Sequence, residues 1–253
     1  EIADGDWSSD VCSSDLNQEH LFFLFIVFVF ILAPPAQAQI SPDRPGFGVG
    51  STTMNVGRFQ VESGYAYGTR SDATSHSLGQ FLLRYGLTDW FEARAGVGSY
   101  VVKETPMENG YSGTTLGAKA SLVQGGPVSM GLFATTGLPT GTGFYESGDL
   151  WQDVTLALST PLAGSLSFAS NLGHQFTFSD GLSGETTLTA TLLLSATERI
   201  GVGFGYAGFF TEVLNRNYLE GGFTYRTSQN TQLDVNWAYQ VDSYASELLL
   251  GVG

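Results

Sequence analysis

Cysteine, basic residues and helical periodicity are all scarce in this 253-residue chain. The only cysteine is Cys12, so after it the chain can form no intramolecular disulfide, thiol nucleophile or cysteine-ligated metal site. Lys and Arg number 10 against 24 Asp and Glu and form no cluster, which argues against nucleic-acid binding. Charged residues make up 13% of the chain, about half the usual share for a soluble domain.

The first residues are unlike a natural N-terminus. The stretch DWSSDVCSSDL (6–16) back-translates to a string that resembles the read-through of a common short-read library adapter. We therefore interpret residues 1–16 as a sequencing-adapter artefact, with a disordered polar N-terminus as the alternative. Residues 1–38 contain six of the 24 acids and none of the 10 bases, so the remainder has a net charge of −8.

An export signal is predicted over residues 17–38, with its basic start truncated. Thirteen apolar residues, LFFLFIVFVFILA (21–33), precede two prolines and the small-residue cleavage pattern Ala36-Gln37-Ala38. A membrane-spanning helix needs about 20 apolar residues, which favours a cleaved signal over a retained anchor. Residues 39–56 are then a periplasmic N-terminal segment, and residues 57–253 form the folded domain.

The folded domain shows the period of β-strands. Blocks of roughly ten residues alternate apolar or aromatic side chains with small or polar ones, which gives each strand two different faces. Twelve strands are predicted: 57–69, 76–87, 90–102, 113–123, 128–137, 150–160, 165–176, 185–196, 200–211, 217–227, 231–241 and 245–253.

The connections alternate in length along the chain. Tight connections rich in turn formers, such as 124–127 and 161–164, are separated by longer polar ones, such as 103–113 and 138–149. This alternation is typical of an up-and-down barrel in an outer membrane, with short periplasmic turns and longer external loops. The chain stops at SELLLGVG, before the short aromatic-ended stretch that we expect to follow, so we also expect a truncated C-terminus.

Three features favour a membrane barrel over an exported soluble β-sandwich that binds a ligand. The polar face is rich in glycine, as at Gly201, Gly203 and Gly205, and small residues suit a crowded interior. Aromatic residues such as Trp151 and Tyr218 lie near strand ends, where interfacial girdles occur. Charge is scarce. The predicted fold class is all-β, a transmembrane antiparallel up-and-down β-barrel of about 12 strands.

Three segments of the chain are specific enough to compare with a known family: Asp43-Arg44-Pro45, Gly57-Arg58-Phe59-Gln60 and Arg84-Tyr85-Gly86-Leu87-Thr88-Asp89. With a similarity that covers most of residues 40–253, they resemble the "putative meta-pathway of phenol degradation" family of outer-membrane barrels. The resemblance implies an outer-membrane channel or transporter, associated in some members with degradation of aromatic compounds. It implies no catalytic residue.

The alternation directs a set of charged side chains into the barrel. With Arg44 of the N-terminal segment, these are the lumen and transport candidates: Arg44, Glu62, Arg84, Glu92, Arg94, Lys119, Asp153, Glu220, Arg226 and Asp234. Such a mixed set either neutralises itself as a packed polar plug or lines a water-filled path that selects solutes. The segment around Asp43 and Arg44 either narrows the periplasmic mouth, with Arg44 paired to lumen acids, or is a simple tether.

The predicted function is passive passage of small solutes, including hydrophobic or aromatic compounds. The expected partners are outer-membrane lipid, lipopolysaccharide, the barrel-assembly machinery and the solute itself. The alternative class is an outer-membrane hydrolase, for which His76, beside Ser75 and Ser77, and His174 are the available bases. No cofactor or metal motif is present, and catalysis is not predicted.

Overall fold

The computed structural model describes residues 42–44, 46–71, 73–146, 148–177, 183–242 and 247–253. The adapter-like stretch and the export signal lie outside these residues. The strands are β1 Phe59–Arg70, β2 Ala73–Thr88, β3 Phe91–Val97, β4 Tyr100–Glu104, β5 Met107–Tyr111, β6 Thr114–Val123, β7 Ser129–Gly137, β8 Trp151–Ala163, β9 Leu166–Thr177, β10 Ser183–Ser195, β11 Ile200–Phe210, β12 Asn215–Arg226, β13 Gln232–Gln240 and β14 Glu247–Val252. Among the described residues, no helix has the length and apolar character needed to cross a membrane.

All strands belong to one antiparallel sheet that closes on itself. β1 pairs with β2 on one side and with β14 on the other, over Tyr65–Arg70. β4 continues β3 along β2, and β5 continues β6, so twelve strands surround the lumen. The predicted fold class is confirmed. The two-sheet sandwich is wrong, because a closed sheet leaves no second layer.

The side chains are distributed in the opposite way to a soluble protein. Among the least exposed are Arg84 at 1%, Glu92 at 0% and Lys119 at 0%, all facing inward. Large apolar side chains on the other face are exposed, for example Phe204 at 53%. Others on this outer face are Leu188, Leu192, Phe223, Trp237 and Leu250. An apolar exterior around a charged interior is the pattern that lipid requires.

Two sequence-based expectations need correction. The connection predicted over residues 103–113 is mostly strand, because β4 and β5 form a hairpin that extends β3 and β6. Trp151 and Tyr218, predicted in interfacial girdles, face the lumen instead. Trp151 lies over Gly137 of the inner wall, and the hydroxyl of Tyr218 donates to Glu247 Oε2 at 2.5 Å. Their position near strand ends did not distinguish the two faces.

Candidate functional site in the barrel lumen

The N-terminal segment (42–44 and 46–56) lies against the inner wall of the barrel. Its main chain is held by side chains of strands on different sides of the barrel: Phe47 N donates to Glu220 Oε2 at 2.9 Å, and Met54 N to Glu92 Oε2 at 2.7 Å. Between them, the hydroxyls of Ser51 and Ser159 are 2.6 Å apart. The segment therefore contacts β3, β8 and β12 before it enters β1 at Phe59.

The inner wall of β1, β2 and β3 contains a buried fork of charges centred on Arg84. Arg84 Nε and Nη2 donate to the two carboxylate oxygens of Glu92 at 2.7 and 3.0 Å, and Nη1 donates to Glu62 Oε1 at 3.0 Å. The parallel donors of a guanidinium match a carboxylate in this way, which makes such pairs strong and directional. The fork thus fixes three neighbouring strands to one another.

Asp43 of the segment completes this cluster. Lys119 Nζ donates to both Asp43 oxygens at 3.0 Å, and Arg94 Nη1 lies 2.6 Å from Asp43 Oδ2. Burial alone would raise the pKa of Asp43, but the positive charges of Lys119, Arg94 and Arg84 hold it well below its ordinary value. Asp43 is therefore an anion that the lumen cations hold in place.

Arg44 points to a different part of the wall. Its Nη1 donates to Gln80 Oε1 at 2.7 Å, and its Nε lies 3.7 Å from Asp234 Oδ1. Gln80 adopts a left-handed backbone with φ 48° at the irregularity between β1 and β2, which turns its side chain inward. Asp43 thus binds cations on one group of strands, and the next residue, Arg44, lies beside an acid on another strand.

Phe47 anchors the segment on its apolar side. Its ring packs edge-on against Phe209 at 5.1 Å between centroids and lies 5.4 Å from the ring of Tyr218. Gly46 has φ +103°, and a Cβ there would lie 2.9 Å from Glu220 Oε2. Glycine at this position therefore permits both the turn and the approach of the main chain to Glu220.

The remaining candidates are dispersed. Asp153 on β8 accepts a hydrogen bond from Thr155 Oγ1 at 2.8 Å and forms no ion pair with the Asp43 cluster among the described residues. Arg226 ends β12 near a tight turn, where Nη1 donates to Glu198 O at 3.4 Å. Within the part of the chain that the structure describes, no group of three or more His, Cys, Asp and Glu side chains is arranged to hold a metal ion.

Sequence reasoning missed the uncharged residues that hold the segment. Asn171 Oδ1 accepts from Val49 N at 2.7 Å, while its Nδ2 donates to Val49 O at 2.9 Å. Gln80 and Ser159 also contact the segment from the wall. The inward parity of Asn171 and Ser159 was visible in the sequence, but only charged inward positions were considered.

Among the described residues, the segment leaves open space in the lumen. One cavity, of about 280 Å³, is lined by Arg94, Phe133, Trp151 and Asp153 and lies toward the longer connections, since Trp151 begins β8 after residues 138–150. Another, of about 210 Å³, is lined by Gly46, Thr191 and Leu193 and extends to Ser195 beside a tight turn. The segment thus leaves accessible space toward both ends of the barrel.

The alternative hydrolase site has a different geometry from the one expected. His76 Nδ1 lies 2.7 Å from the hydroxyl of Tyr65, and Nε2 lies 3.1 Å from Glu104 Oε1. Successive residues of a strand point to opposite faces, so Ser75 and Ser77 face away from His76. His174 lies 2.9 Å from Thr186 Oγ1 through Nδ1.

A closed barrel with an apolar exterior and a charged, segment-filled lumen defines the class of transmembrane β-barrels that resemble porins. The chain belongs to the family described as "Putative MetA-pathway of phenol degradation", whose model matches residues 42–253. A comparison with curated proteins found no match.

Solved structures with a similar fold are outer-membrane channels. The COG4313 outer membrane channel from Pseudomonas putida F1 has 11% identity and a TM-score of 0.54, covering 85% of this chain and 98% of that one. The KdgM porin has 13% identity and a TM-score of 0.52, covering 75% and 96%. The NanC porin has 8% identity and a TM-score of 0.51, covering 76% and 98%. At these low identities, the structural similarity shows a shared fold alone.

Proposed function

We propose that the protein is an outer-membrane channel for passive passage of small solutes, including hydrophobic or aromatic compounds. The observation that supports this most directly is the charged lumen inside an apolar exterior, with cavities toward both ends. The family description, which names phenol degradation, and the porin-like fold agree with this function. Such a channel needs no cofactor.

The ten charged candidates have three roles in this proposal. Arg84, Glu92 and Glu62 hold strands together. Arg94 and Lys119 hold the segment in the solute path through Asp43, and Arg44 holds it through Gln80. The segment narrows the lumen and leaves a restricted route, which limits passage to small molecules. Asp153, Glu220, Asp234 and Arg226 line other parts of the lumen and set its local charge.

The proposed location is the outer membrane, after export and removal of residues 17–38. The apolar exterior contacts phospholipid and the acyl chains of lipopolysaccharide, and the barrel-assembly machinery inserts the closed sheet. The apolar exterior supports the lipid partners, and assembly is proposed because every backbone N–H and C=O in hydrocarbon must be paired within a closed barrel.

Planar bilayers test the channel directly. The refolded chain is expected to give discrete conductance steps in KCl. Liposomes containing it are expected to take up phenolic compounds faster than protein-free liposomes do, with a larger gain than for sugars of similar size. Arg44→Ala is expected to increase conductance, because the side chain no longer ties the segment to Gln80 and Asp234. Membranes whose permeability to ions and to phenols stays equal to that of protein-free bilayers would refute the channel.

The hydrolase alternative is tested on the same preparation. We propose that the protein is not an enzyme, because Ser75 and Ser77 face away from His76, the base expected to activate them. The refolded chain is therefore expected to leave short-chain esters and phospholipids unhydrolysed. Turnover that disappears in His76→Ala would instead assign catalysis to the outer face.

A further inference from the structure

The lumen cavity on the side of the longer connections is lined by different kinds of side chain from those of the charged cluster around Asp43. It is lined by two aromatic rings, a guanidinium, a carboxylate and an amide: Phe133, Trp151, Arg94, Asp153 and Gln175. Its volume of about 280 Å³ lies near the lower end of the range for small-molecule sites. It therefore has room for one small ring with short substituents.

Planar groups form much of the wall. The guanidinium of Arg94 lies over the ring of Phe133, 4.5 Å from its centroid. A Cβ at Gly137 would overlap the indole of Trp151, so the indole can lie against the wall only because position 137 is glycine. These flat surfaces favour an aromatic ring, which stacks on indole and on guanidinium.

The cavity also contains buried polar atoms without a hydrogen-bond partner. Arg94 is only 6% exposed, and its Nε lacks a hydrogen-bond partner within the described residues, as does the buried Thr135 Oγ1 of the same cavity. Arg94 Nη1 is already paired with Asp43 at 2.6 Å, whereas Nε lies 3.8 Å from the nearest Glu92 oxygen, beyond hydrogen-bond distance. Buried donors of this kind are normally satisfied, so the cavity suits a ligand with an anionic acceptor.

Asp153 requires a hydrogen-bond donor on the ligand, in contrast to Arg94, which requires an acceptor. Its Oδ1 accepts from Thr155, and no Lys or Arg forms a salt bridge with it in the part of the chain that the structure describes. A ligand that brought only a carboxylate into this cavity would face an uncompensated acid. A ligand with a hydroxyl group as well can donate to Asp153 while its carboxylate accepts from Arg94.

We propose that this cavity binds a hydroxylated aromatic carboxylate. The inference deepens the proposed channel function, since it names the class of solute that stops on the way through the lumen. The proposal distinguishes this class from phenols, which bring no anionic acceptor for Arg94, and from unsubstituted aromatic acids, which bring no donor for Asp153.

Calorimetry on the refolded chain in detergent tests the binding site without requiring conductance. The probes are 4-hydroxybenzoate, benzoate, phenol and 4-hydroxycyclohexanecarboxylate at pH 7. We expect 4-hydroxybenzoate to bind about tenfold more tightly than each of the others, because each lacks one hydrogen bond to a charged group or the stacking ring. Equal affinity for all four probes would overturn the proposal.

Two variants test the binding site while leaving the folded barrel intact, because neither removes a member of the Asp43 cluster. Trp151→Leu is expected to weaken binding of 4-hydroxybenzoate about tenfold through lost stacking. Asp153→Leu is expected to abolish the preference for 4-hydroxybenzoate over benzoate. The controls are Trp237→Leu, on the outer face, and Glu108→Leu, on the hairpin. A control that weakens binding as much as its matched variant would contradict the site.

Conductance measured in parallel keeps the two proposals distinct. If KCl conductance appears and 4-hydroxybenzoate neither binds nor reduces it, the binding site fails and the channel stands. If 4-hydroxybenzoate binds with the predicted preference but no conductance appears, the channel fails and the site stands. Gel mobility of unheated samples verifies that every variant has folded.

Discussion

At the scale of single residues, the lumen depends on charges that cannot be removed one at a time. Arg84 is 1% exposed and serves two carboxylates, Glu92 and Glu62. A buried ion pair adds little over a well-packed apolar pair, but loss of one partner leaves an uncompensated charge. The fork therefore stabilises the barrel only when all of its charged side chains are present.

Arg84→Ala is expected to lower the free energy of unfolding by roughly 3–5 kcal/mol, because Glu92 and Glu62 are left without their main cation. Urea titration of the refolded barrel in detergent, followed by tryptophan fluorescence, measures the change. Adding Glu92→Gln to Arg84→Ala is expected to recover part of the loss.

Arg199→Ala is the matched control, since Arg199 is exposed in a tight turn. Its effect is expected to stay within about 0.5 kcal/mol, as for most surface substitutions. A similar loss in both variants would mean that the buried fork has no special role.

At the scale of elements, the N-terminal segment is held by complementary charge. Asp43 binds the cations of β2, β3 and β6, and Arg44 lies near Asp234 of β13. Without Asp43, the three cations Arg84, Arg94 and Lys119 face only Glu62 and Glu92 among the acids of that cluster. The segment therefore neutralises the wall that it covers.

Asp43→Asn is expected to increase single-channel conductance and to shift ion selectivity toward anions, because it removes a segment contact and exposes positive charge. The reversal potential across a KCl gradient measures the shift. Asp89→Asn removes the same charge from an exposed turn and is expected to leave both quantities unchanged. Unaltered selectivity in Asp43→Asn would show that Asp43 does not control the lumen charge.

The sequence pattern was sufficient to predict the strands whose two faces carry different kinds of side chain. β11 alternates glycine with valine, phenylalanine and tyrosine from Gly201 to Tyr206, and its predicted and observed bounds agree closely. The β5 strand was missed because Met107, Glu108 and Asn109 show no such contrast. Parity along β2 also changes at Gln80, where an irregularity in pairing cannot be read from residue type.

The sequence predicted only the charged residues of the candidate site. Glu62, Arg84 and Lys119 were placed inside by parity, and pairing of β2 and β3 brings Arg84 opposite Arg94. The path of the segment could not be predicted, because it depends on contacts across more than a hundred residues, such as Val49 with Asn171. The sequence left both a plug and a tether possible for Asp43 and Arg44.

At the scale of the whole molecule, closure determines whether the sheet can exist in lipid. β14 is paired with β1 on one side and β13 on the other, so it completes the ring. Unpaired backbone groups in hydrocarbon cost several kcal/mol each, and an opened ring would expose a row of them. The barrel should therefore be lost as a unit when β14 cannot pair.

Leu250→Pro is expected to abolish the compact form that migrates faster on gels before heating, because proline removes an N–H from a strand paired on both sides. Leu250→Ala keeps the N–H and removes the same outward side chain, so it is expected to retain the compact form. If both variants migrate alike, ladder pairing of β14 does not limit folding.

The paired contacts between Asn171 and Val49 have a consequence for design. The amide of Asn171 recognises the main-chain N–H and C=O of position 49 and makes no demand on its side chain. These two hydrogen bonds therefore do not select the side chain at position 49, and a chemically synthesised mimic of residues 42–56, supplied in trans to a shortened barrel, would keep both of them when Val49 is replaced by another residue of similar size.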